Sequence, residues 1–160
     1  MPYDARAVAN YFLDLASSEG RSLDPMGIEK LVYFAHGWHL AVFETPLLEQ
    51  PIEAWQYGPV IRDLYQCFKE FGTNWIKRPA TKGGVPPKIE NTEETKETRA
   101  LLNRVWSVYK NYSSIQLSNL THLPDSPWTI AREKSEAVID NSLIEEYFQA
   151  QASQNAAIAG

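Results

Sequence analysis

The chain has 160 residues, 44% of them apolar, and a net charge of −5, which suits one globular domain with its own core and excludes disorder. The acidic balance, with a pI near 5.2, argues against nucleic acid as a partner, and no stretch approaches the ~18 apolar residues of a membrane span. The single Cys67 excludes an internal disulfide framework and a Cys-rich zinc site. With no cationic-then-apolar leader in MPYDARAVANYF, the expectation is a reduced, cytoplasmic protein.

In chain order, Asp4 can cap a first helix reaching about Ser17, with Val8, Tyr11, Phe12 and Leu15 at helical spacing and Gly20 ending the segment. Asp24-Pro25 is the next start signal. The run MGIEKLVYFAHGWHLAVF reads as a long, mostly buried helix. Gly37 within it costs about 1 kcal/mol against Ala, which predicts a close helix contact there. Thr45-Pro46 breaks this helix. LLEQPIEAWQY, residues 47–57, reads as a small hairpin turning near Glu49-Gln50-Pro51. Gly58 and Pro59 then punctuate the chain. Pro59 is read as the start of a helix carrying Val60, Ile61, Leu64, Tyr65 and Phe68, which Gly72 stops.

Residues 73–96 read as a surface loop with one short strand near Lys88-Ile89, and Asn91 with Glu94 resembles a capping pair. A helix burying Leu101, Leu102, Val105, Trp106, Tyr109 and Tyr112 follows. Ser114 can open a short helix, Ser126-Pro127 another, and the last runs from about Asn141 to Ala150. The expected architecture is mainly α, a compact helical domain with a small β-hairpin. It is read as one domain over 1–150, with a flexible tail over 151–160.

Candidate chemistry is sparse. His36 and His39 stand three apart on one helix, but HGWH lacks the HExxH spacing of a zinc hydrolase, and the pair is read as partly exposed histidines among aromatics, with no metal. A Cys67–His122–Asp125 nucleophilic site is conceivable. Cys67, however, sits on the apolar helix LYQCFKEF, where an inert thiol is the simpler reading. No GxSxG, Walker A or GxGxxG motif occurs. Glu93-Glu94 and Glu145-Glu146 read as solvated faces. No catalytic residues and no cofactor are expected, and the protein is read as a non-enzyme.

Five Trp and eight Tyr carry more information. Trp38 and Trp106 fit helical core positions. Trp55, Tyr57 and Trp128 flank turns, where such side chains either staple loops onto helices or contact a protein partner.

The segments IEKLVYFAHGWHLAV, EAWQYGPVIRDLYQCF, LSNLTHLPDSPW and IDNSLIEEYF, in that order and spacing, resemble the Panacea domain of SocA-like antitoxins, also called phage-associated GepA-like proteins. The resemblance spans residues 5–150. It implies a small helical protein encoded beside a toxin that it neutralises by direct binding. An alternative it also implies is an adaptor that delivers the toxin to a ClpXP-type unfoldase-protease. The signature residues are Trp55, Tyr57, Gly58, Pro59, Val60, His122, Pro127 and Trp128. A domain that meets many toxins should hold its core fixed and vary its surface. On that argument Trp55, Gly58, Pro59 and Trp128 are expected to be buried scaffold. Partner contacts are expected from loop 73–90 and from the tail, whose NAAIAG end an unfoldase could engage.

Overall fold

A computed structural model describes residues 1–154 of the protein. Among them are seven α-helices and three short strands: α1 (Ala5–Ser18), α2 (Pro25–Phe43), β1 (Ile52–Trp55), β2 (Gly58–Val60), α3 (Arg62–Phe68), α4 (Lys96–Tyr109), α5 (Ser114–Thr121), α6 (Pro127–Glu133), β3 (Val138–Ile139) and α7 (Asn141–Ala152).

Helix starts follow the capping chemistry. Asp4 accepts from the Arg6 amide and Asp24 accepts from the Gly27 amide, with Pro25 in the first turn. Ser113 and Gln116 form a reciprocal capping box at α5. Ser126 caps α6 and Asp140 caps α7.

α2 is the axis of the fold. It is buried on all sides from Gly27 to Leu40, and α1, α3, α4, α5, α7 and β2 all pack on it. That position explains its nearly unbroken apolar sequence. Gly37 lies under the ring of Phe148 from α7, the close contact expected there. The Phe148 ring is itself set edge-on to Tyr33, Phe34 and Trp38.

The sheet differs from the expected hairpin. The turn falls at Gln56-Tyr57, and β1 is the central strand of the order β2-β1-β3, with Trp55 opposite Gly58 and Ile52 opposite Ile139. Residues 47–49 instead join the chain start: Tyr3 donates to the Leu47 carbonyl and Glu49 donates to the Tyr3 carbonyl. Gln50 fastens the corner by accepting from the Ala5 amide and donating to Asp63. Pro59 does not start a helix. It pairs with Ala54 on the edge strand, where a residue without an N–H is tolerated, and α3 begins three residues later.

Other differences are local. No strand forms at Lys88-Ile89; Lys82 and Val85 make an isolated bridge instead. Thr95, not Asn91, precedes α4. Tyr112 lies beyond α4 and is exposed. α7 continues to Ala152, so the expected tail, including NAAIAG, falls mainly on residues outside those described. No helix among the described residues is long and apolar enough to cross a membrane.

Candidate functional site

The signature residues converge at one end of the molecule. Ser126 donates to the Thr121 carbonyl and accepts from the Thr129 amide, which sets the entry angle of α6 and turns Trp128 toward the hairpin. The Trp128 indole N–H donates to the Trp55 carbonyl at 2.7 Å. The His122 ring lies 4.2 Å from the Trp128 ring, centroid to centroid, and its Nδ1–H donates to the Ser118 carbonyl at 2.6 Å. Arg132 donates to the Ala54 carbonyl at 3.2 Å. Gly58 has φ +130°, and a Cβ there would stand 3.1 Å from Lys30 Nζ and 3.3 Å from His122 Cε1. The positive φ favours glycine, and the space for a side chain is tight.

The Trp55 ring meets Tyr65 edge-on, centroids 5.0 Å apart, with the Arg62 guanidinium 5.4 Å away. Glu53 joins these parts: it accepts from the Trp55 indole and pairs with Arg62 at 2.7 Å. The Arg62 partnership holds the Glu53 carboxyl below its usual range.

Beneath this end two buried charged residues reach out from α2. Lys30 donates to the Pro59 carbonyl at 3.0 Å, and Glu29 Oε1 accepts from the Ile61 amide at 3.0 Å. They satisfy edge-strand and strand-exit groups that no other strand covers. Burial pushes the Glu29 carboxyl upward and the Lys30 ammonium downward. Glu29 Oε2 is buried and has no partner. The sequence reading missed both residues, although two adjacent charges inside IEKLVYF were a usable signal: in a helix buried all round, charges must be tied to something.

The structure thus brings together Trp55, Gly58, Pro59, His122, Pro127 and Trp128. Gly58, Pro59 and Pro127 are buried, whereas Trp55, His122 and Trp128 are half-buried. Full burial of both tryptophans, expected of pure scaffold, is not observed. The indole bond and the ring contacts do staple hairpin to helix. Tyr57 holds nothing: it is 77% exposed at the turn tip. Val60 is half-buried on the opposite flank, beside Glu29.

The histidine pair is buried, not partly exposed. His36 Nδ1 accepts from the Leu48 amide, so Nε2 carries the proton and donates to Asn141 Oδ1 at 2.9 Å. His39 Nδ1–H donates to the Thr45 carbonyl. Burial lowers the His36 pKa to about 4 and lowers that of His39 as well, which keeps both neutral near pH 7. Cys67 faces the Thr81 carbonyl in a hollow with Arg6 and Arg78, while His122 packs on Trp128. The two do not form a nucleophile–base pair. Among the described residues, no group of three or more His, Cys, Asp or Glu side chains could hold a metal ion.

Two open features flank the start of α2. A groove of about 460 Å³ is lined by Asp24, Gly27, Leu31, Trp75, Tyr112 and Ile115, among others. A smaller cavity of about 220 Å³ is lined by Pro25, Glu29 and Val60, among others. Helical periodicity puts residues 24, 27 and 31 on one face and residues 25 and 29 on the next, with exposed Met26 pointing outward between them.

The fold and this end define a small helical domain with an aromatic, arginine-flanked surface. The family described as Antitoxin SocA-like, Panacea domain, matches residues 28–129, and the chain belongs to that family. It is similar to "Antitoxin SocA" of Caulobacter vibrioides (strain NA1000 / CB15N), 33% identical over 136 residues that cover 79% of this chain and 69% of the relative. No solved structure matches.

Proposed function

We infer that the protein is an antitoxin that neutralises a cognate protein toxin by direct binding. The observation that carries this reading is the similarity to an antitoxin over most of both chains. Two structural features support it. Cys67 meets the Thr81 carbonyl and not His122, so that thiol has no imidazole base beside it. The fold also leaves large apolar side chains exposed around the start of α2: Trp75 at 57%, Ile115 at 68%, and Met26 and Tyr112 at 44% each. Aromatic residues standing half in solvent suit a protein interface. Trp75 lies in the loop from which contacts were expected, whereas Tyr112, Ile115 and Met26 add a surface the sequence did not suggest.

The test is co-expression with the product of the neighbouring reading frame, followed by growth measurement and a tagged pull-down. Rescue of growth with a stable complex is the expected result. Separate elution of the purified pair at micromolar concentration overturns sequestration. The second reading is proteolytic delivery, which the resemblance to SocA-like adaptors favours. It predicts that toxin half-life lengthens when the ClpXP-type protease is removed, and an unchanged half-life defeats it.

A further inference from the structure

We propose that the cavity over Glu29 is a receptor for an arginine side chain supplied by a protein partner. The inference rests on the partner-binding reading for the source of that arginine. The argument starts from an unmet need. Glu29 is 6% exposed, Oε1 is taken by the Ile61 amide, and Oε2 has no hydrogen-bond partner. A buried carboxyl oxygen without a partner is costly, and an incoming donor that pairs with the carboxylate would relieve that cost. Glu29 lines a cavity of about 220 Å³, walled by Pro25, Val60, Leu64, Tyr65 and Gly72 with Lys69 at the rim. That volume takes one long side chain.

The chemistry selects the guest. The walls are mostly apolar, which suits a methylene stem. The base needs a donor. Tyr65, 43% exposed and held edge-on to Trp55, presents a ring on which a planar guanidinium can stack. The chain's net charge of −5 favours a basic partner. The charged groups that face Glu29 are Lys30 on its own helix, Glu53 on β1 and Lys69 on the turn after α3. Lys30 is directed at the Pro59 carbonyl, Glu53 adds negative charge, and Lys69 is exposed. Burial favours the protonated form of Glu29 in the empty cavity. An arriving guanidinium displaces that proton to solvent, so binding tightens as pH rises through the Glu29 titration.

The experiment is an NMR titration of the full ¹⁵N-labelled chain with N-acetyl-arginine N-methylamide. The expected result is millimolar, saturable shifts at the amides of Val60, Leu64, Tyr65 and Gly72, stronger on the alkaline side. The citrulline analogue, which has no charge, should give none. Glu29→Gln should weaken the probe at least about tenfold and Tyr65→Ala about threefold. Val60→Trp fills the cavity from a half-exposed position and should abolish the shifts, a second route should Glu29→Gln fail to fold. Absence of saturation, equal binding of citrulline, or unchanged binding in Val60→Trp overturns the proposal. The probe needs no toxin, so the two readings fail separately. Probe binding without a toxin complex sinks the antitoxin reading alone; a toxin complex untouched by Val60→Trp sinks the arginine receptor alone.

Discussion

Gly37→Ala tests the packing of the whole domain with one methyl group. On an exposed helix this change stabilises by about 1 kcal/mol through backbone entropy and propensity. Here the added Cβ would stand 2.3 Å from Phe148 Cε2, 2.5 Å from Cδ2 and 2.6 Å from Cζ, so α7 or the ring must move. The ring has little freedom: Tyr33, Trp38 and Tyr147 lie edge-on with centroids at 5.9, 5.2 and 5.4 Å, and Phe148 is 2% exposed. Overpacking of this kind costs about 1–3 kcal/mol. Contact on three ring atoms puts Gly37→Ala at the upper end, for a net loss of about 2 kcal/mol after the propensity gain. Urea unfolding followed by tryptophan fluorescence should show the midpoint falling by about 1 M with an unchanged slope. Phe148→Leu in the same background should recover part of the loss, so that the double variant is less destabilised than the sum by at least about 1 kcal/mol. A neutral or stabilising Gly37→Ala would refute the close approach of α2 and α7.

Three further outcomes follow from the site and the core. Trp128→Phe removes the indole donor to the Trp55 carbonyl and should cost about 1 kcal/mol by thermal unfolding, while a change no larger than experimental error would mean that the bond holds nothing. Gly58→Ala places a Cβ in a conformation closed to L-residues and against Lys30; a loss of about 1–3 kcal/mol is expected, read as a drop in melting temperature, and a neutral result would disprove the φ assigned there. His36 has its pKa lowered to about 4 by burial, below the ordinary 6.5. The unfolded chain therefore takes up a proton first as pH falls, and stability present above pH 6.5 is lost on the way down to about 4, by roughly 3 kcal/mol. His36→Gln should flatten that acid limb in urea midpoints measured from pH 7 to 4, and an unchanged limb would place the titration elsewhere.

The helical half of the fold was legible because its signals are local. Asp4, Asp24 and Ser126 sit where their carboxylates or hydroxyl reach amides two or three residues on, and the largely apolar run of α2 reads as a buried helix. Gly37 was readable as a contact because a glycine amid helix formers needs a reason. The hairpin was misplaced because its register is decided by residues far away. Leu47 and Leu48 look like a strand of the same ribbon, but Tyr3 claims their backbone and Gln50 is tied to Ala5 and Asp63. β3 is two residues long, too short for any alternation to register. The site was half legible. Aromatic and glycine positions announced the AWQYGPV and LTHLPDSPW segments, and their junction through the Trp128 indole follows from α6 geometry that no spacing encodes. Glu29 and Lys30 were visible as charges but not as partners, because their meaning depends on the Pro59 carbonyl and the Ile61 amide some 30 positions on.

The position of β1 between β2 and β3 also fixes when the molecule becomes complete. A hairpin alone is a marginal structure, and this one gains its third strand and its indole staple only from residues 128–139. During synthesis the chain emerges from its N-terminus, so the helices around the first half of α2 can begin to gather while the signature end still lacks its closing pieces. Those contacts join residues about 70 or more positions apart, and loop-closure entropy makes such pairings form late. A ribosome that stalls before Trp128 would leave a chain with most of its core residues and no finished signature end. Any partner that reads that end meets only finished copies.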